Sequence, residues 1–93
     1  MTAQERIGLR LMRKRVDLGY TQQEVAGFVG VRDATTIMNW ECGTRDPATR
    51  YLVRLARLYC VTPDWILNFN GEADAYDNEF VSQYGGFRRK EDL

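Results

Sequence analysis

The sequence predicts an all-α domain of five short helices, followed by a short C-terminal extension that carries a candidate sixth helix. Three observations predict it. Apolar residues recur at helical spacing within short segments, and no segment alternates as a half-buried strand does. Threonine or aspartate start signals and glycine stops bracket most of these segments in turn. The 93 residues are 44% hydrophobic, enough for one modest core in one domain.

Helix 1 opens at Thr2-Ala3-Gln4-Glu5, a capping box with Thr2 as N-cap. Ile7, Leu11 and Leu18, with Met12 and Val16 beside them, form its apolar face, and Gly19 ends it. A second capping box, Thr21-Gln22-Gln23-Glu24, opens helix 2, whose inward residues are Val25, Ala26 and Val29 and whose stop is Gly30. Asp33 caps helix 3, where Ile37 and Trp40 point inward before Gly43. Pro47 follows a turn and precedes helix 4, about Ala48 to Tyr59, with Leu52, Leu55, Ala56 and Tyr59 at core spacing. Thr62-Pro63 starts a short helix 5 through Phe69, with Trp65, Ile66 and Leu67 expected to seal the core.

The domain is expected to span residues 1–71, and the character changes beyond it. The formal net charge is zero, yet residues 1–71 carry ten basic and seven acidic side chains, whereas 72–93 carry three and six. In the extension Tyr76, Phe80 and Tyr84 recur every four residues, the stripe of a helix with one aromatic face. That stripe is a candidate dimer surface or a face that packs back on its own chain. Gly85-Gly86 breaks it, and the end FRRKEDL is expected to fray.

Several classes are excluded. With no histidine and no CxxC pair, Cys42 and Cys60 leave a zinc tetrahedron half filled, so no metal is expected. The two cysteines are expected as reduced, partly buried thiols. No apolar run approaches the about 18 residues of a membrane span, and MTAQERIGLR lacks the apolar stretch of a secretory signal, so a cytoplasmic location is expected. An enzyme finds no support, since there is neither a cysteine–base arrangement nor a phosphate loop, and no cofactor or small-molecule substrate is expected.

In order and spacing, Ile7, Arg10, Leu11, Gly19, Thr21-Gln22, Glu24-Val25-Ala26, Gly30-Val31, Thr36-Ile37, Trp40-Glu41 and Gly43 resemble the lambda-repressor-like helix-turn-helix family. The match continues through Pro47, Leu52, Leu55-Ala56, Val61 and Asp64–Leu67, and covers residues 5–71. One departure stands at the entrance to helix 3. Five residues separate Val31 from Ile37, one more than the family's pattern, and the extra residue is expected in the turn. A further departure is Cys60, which sits where the family often has glycine and where a left-handed backbone is strained.

The resemblance implies double-stranded DNA as partner, with helix 3 in the major groove and a homodimer on a palindromic site. Counting back from Ile37, the base-reading candidates are Ala34, Thr35 and Asn39, with Met38 at the margin and Arg32 facing either a guanine or a phosphate. The Asn39 amide suits adenine N6 and N7. Gln22 resembles the family's phosphate-binding glutamine, at a helix N-terminus that favours anions. Thr44, Arg45 and Arg50 are further phosphate candidates. Arg15 matches a helix 1 arginine that pairs with the glutamate ending helix 3, here Glu41, as a structural brace. The implied activity is that of a phage- or prophage-type repressor or another bacterial regulator. The acidic extension and zero net charge favour the alternative, a protein-interaction module such as an antirepressor or antitoxin-like adaptor.

Overall fold

The computed structural model describes residues 2–67, which form five α-helices in the order α1 (Ala3–Leu18), α2 (Gln22–Val29), α3 (Ala34–Cys42), α4 (Thr49–Tyr59) and α5 (Pro63–Leu67). Among the described residues there is no strand. The Tyr76/Phe80/Tyr84 stripe, the candidate sixth helix and the end of helix 5 beyond Leu67 lie outside the described residues.

Local chemistry sets the helix boundaries. At both Thr2 and Thr21 the hydroxyl accepts the N–H three residues on, while Glu5 and Glu24 reach back to the threonine N–H groups. These reciprocal bonds satisfy donors that the first helical turn leaves open. The hydrogen bonds from Thr2 hold the Glu5 carboxyl below its ordinary pKa. Asp33 caps α3 by accepting the Thr35 N–H at 2.9 Å. Helix 4 starts one residue later than its pattern suggests, because Ala48 takes the extended cap position and has no side chain to cap with.

One cluster of buried residues forms the core: Ile7 and Leu11 from α1, Val25, Ala26 and Val29 from α2, Ile37 and Trp40 from α3, Leu52, Leu55, Ala56 and Tyr59 from α4, and Ile66 from α5. Helix α1 is the hub, packing on α3, α4 and α5, while α2 packs on α3 and α4. This central position buries Leu9 and Arg10, which lie off the stripe read from the sequence. The Arg10 guanidinium sits 4.9 Å from the Trp65 ring and donates to the Trp65 carbonyl, pinning α5 to α1.

Three expectations require correction. Leu18, assigned to the core face, is 50% exposed, because in the last turn of α1 the enclosed position is taken by Arg15, paired with Glu41 of α3. Cys42 and Cys60 are exposed rather than partly buried. Trp65 and Leu67 are only half buried, and Ile66 alone of the α5 trio is fully enclosed.

Gly8 marks the closest approach of two helices. A methyl group there would lie 2.5 Å from the Glu41 carbonyl oxygen and also against that of Trp40. Only a residue without Cβ lets α1 press on the C-terminal turn of α3. Cys60 occupies the left-handed region at φ 56°, where its Cβ is strained.

Candidate nucleic-acid interface

The α2–α3 pair is set by its turn. Gly30 takes a left-handed backbone at φ 83°, and the N–H groups of Gly30 and Val31 both donate to the Ala26 carbonyl. Arg32 and Asp33 follow before α3 begins at Ala34, so the extra residue is accommodated outside the helix. Helix α3 then buries Ile37, Trp40 and Glu41 on one side. Its other side exposes Thr35 and Met38, flanked by the half-buried Ala34, Thr36 and Asn39. No charged side chain stands on that outer face.

Beneath it lies a charged network. Arg15 Nε donates to Glu41 Oε2 at 2.7 Å, and Arg15 Nη2 to Glu41 Oε1 at 3.1 Å. Both residues are almost fully enclosed, at 1% and 3% exposure. Arg15 Nη1 also donates to the Tyr20 carbonyl at 3.1 Å, which ties the α1–α2 loop to the same group. Gln22 Nε2 donates to Glu41 Oε1 at 3.1 Å. Thus α1, the start of α2 and the end of α3 meet at one carboxylate. The Tyr59 hydroxyl is buried with no hydrogen-bond partner among the described residues. Its pKa is raised far above the usual phenol value, chiefly by burial and then by the Glu41 charge, with Arg15 opposing.

The other site candidates occupy distinct places. Thr44 Oγ1 and the backbone N–H groups of Thr44 and Arg45 all donate to the Asn39 carbonyl, closing the end of α3. That commits the Thr44 hydroxyl proton to the protein, whereas the Arg45 side chain is exposed. Arg50 lies 4.6 Å from the Tyr51 ring and donates to its hydroxyl at 3.2 Å. Arg32 is exposed in the turn. A depression of about 250 Å³ between α3 and α4 brings Asn39 and Arg45 together, with Thr36, Trp40 and Tyr51 among its walls.

Sequence reasoning missed the Gln22–Glu41 bond and the Gly8 contact. Each joins residues far apart in the chain, and neither has a local signal. Gly8 offered a faint one, since a mid-helix glycine costs about 1 kcal/mol and calls for a reason.

Among the described residues no group of acidic, cysteine or histidine side chains is placed to hold a metal ion. No described helix is long and apolar enough to cross a membrane.

Comparison with known proteins agrees with this architecture. Residues 9–66 match the family model described as helix-turn-helix. The chain is 38% identical over 61 residues to the HTH-type transcriptional regulator ImmR of Bacillus subtilis (strain 168), an alignment covering 66% of this chain and 47% of ImmR. It therefore spans about half the length of that relative. No solved structure matches the chain significantly. The protein belongs to the helix-turn-helix family, in its lambda-repressor-like form.

Proposed function

We propose that this helix-turn-helix protein is a sequence-specific DNA-binding transcriptional regulator, a repressor that binds a palindromic operator as a homodimer. The observation that carries the reading is the uncharged outer face of α3, set beside the capped N-terminus of α2 and the exposed Arg45. A helix presented in this way enters a major groove without burying an unpaired charge. The similarity to ImmR, a transcriptional regulator, supports it.

In this reading Thr35 and Asn39 meet base edges, with Ala34 against them and Arg32 reaching in from the turn. Asn39 bonds bidentately to adenine. Gln22, Arg45 and Arg50 face phosphates and position the protein without specifying sequence. Thr44, whose hydroxyl and N–H both donate to the Asn39 carbonyl, meets a phosphate only by releasing one of those bonds. Gln22 has a second N–H and its backbone N–H to offer while Glu41 holds its amide in place. Two copies place their α3 helices about 34 Å apart, one turn of DNA. The protein acts in the cytoplasm, on DNA, and no catalytic step belongs to the function.

Selection of bound sites from a random duplex library tests the proposal. A two-fold symmetric motif should emerge, and log affinity for the selected duplex should fall linearly with log salt. Absence of enrichment at low salt overturns the reading and leaves the interaction-module alternative.

A further inference from the structure

A second surface, formed by residues outside the candidate DNA contacts, lies between α2 and α4. Phe28, Arg54, Arg57 and Leu58 line a groove of about 320 Å³ there. Phe28 is 62% exposed, an unusual position for a phenylalanine in a small domain. The Tyr20 ring, edge-on at 5.6 Å, props it outward. Arg54 Nη1 donates to the Val29 carbonyl at 2.7 Å, which fixes one cation on the rim. Arg57 stands exposed beyond it. No acidic residue occurs on α4, and the only one on α2, Glu24, is bonded to the Thr21 N–H at 2.8 Å. The groove is therefore apolar along its floor and positive along its rim.

The same chain contains a segment of complementary chemistry. Residues 72–84 hold four carboxylates, Glu72, Asp74, Asp77 and Glu79, and no basic side chain. Interleaved with them are the aromatic rings of Tyr76, Phe80 and Tyr84. We infer that this segment docks on the α2–α4 groove of its own protomer, rings against Phe28 and Leu58, carboxylates against Arg54 and Arg57.

Reach favours the same chain. Helix α5, the last described element, packs on α1 and on α4, and α4 forms one wall of the groove. Tyr76 follows Leu67 by nine residues, which span up to about 30 Å when extended. The 11 residues of α4 are only about 16 Å long. The linker is therefore about twice as long as the helix that walls the groove, and docking within one chain needs no second molecule. The inference is independent of DNA binding.

Amide spectra of the full 93-residue chain test it. Phe80→Ala should shift the amides of Phe28, Arg57 and Leu58 and leave those of Thr35 and Asn39 in place. Arg57→Glu should move the Tyr76 and Phe80 amides to the positions seen in about 1 M salt, where screening releases the carboxylates. Both effects should persist on dilution below the concentration at which sedimentation shows only monomer. Unchanged Phe28 and Leu58 amides in Phe80→Ala overturn the inference. So does a perturbation that vanishes on dilution, which assigns the groove to a second copy of the chain.

Discussion

Arg15 on α1 and Glu41 on α3, 26 residues apart in sequence, form a two-pronged ion pair of 2.7 and 3.1 Å inside the domain. The pair matters because Gln22 shares its carboxylate. The end of the proposed recognition helix and the start of α2 are referred to one buried group. Arg15→Met leaves the Glu41 carboxylate enclosed without its cation and should cost about 3–5 kcal/mol in urea unfolding. Arg15→Met with Glu41→Met removes both charges and should recover most of that loss. DNA affinity should not recover in parallel, since Gln22 then lacks its anchor. A double variant no more stable than the single one would contradict the bracing role.

Base reading and phosphate contact separate cleanly in a binding assay. Asn39→Ala should relax preference at one base pair in each half-site, at about 1–3 kcal/mol. Arg45→Ala should weaken all duplexes alike and reduce the salt slope by about 1. A changed base preference in Arg45→Ala would count against its phosphate role.

Two helical glycines should respond to alanine with opposite signs. At Gly27 a new Cβ meets nothing within 4 Å, so Gly27→Ala should stabilise by about 1 kcal/mol through helix propensity. At Gly8 the same change drives a methyl into the carbonyls of α3, and Gly8→Ala should lower stability by about 1–3 kcal/mol. Thermal melts of both variants decide the matter.

Burial of the Tyr59 hydroxyl, which has no hydrogen-bond partner among the described residues, gives a pH signature. Its folded-state pKa is raised, so the phenol's contribution is intact below the unfolded value of about 10 and is lost as pH rises beyond it. Tyr59→Phe removes the unsatisfied group and should be neutral or stabilising by about 1 kcal/mol at pH 7. It should also flatten the alkaline fall in stability measured by denaturant titration from about pH 9 to 11.

At Cys60 the left-handed backbone, φ 56°, penalises any side chain. Cys60→Gly should raise the melting point, with a gain of about 1 kcal/mol. An unchanged or lower melting point would mean that the thiol's long contact to the Arg57 carbonyl, 3.9 Å, outweighs the strain.

The local grammar of this protein is legible in its residues alone. Both capping boxes, the Asp33 cap, the glycine stops and most of the core can be read there, because each depends on neighbours within one or two helical turns. The α3 register is readable too, since Ile37, Trp40 and Glu41 share one helical face. Tertiary structure alone decides the rest. Leu18 keeps helical spacing yet faces water, and Leu9 and Arg10 break the stripe yet are buried, because α1 is packed on several sides. Residue spacing records which side chains share a face; it does not record how many faces the fold will cover. The same holds for Gly8 against α3 and Gln22 on Glu41. Both are close contacts between segments distant in the chain, and only the packing of helices brings them together.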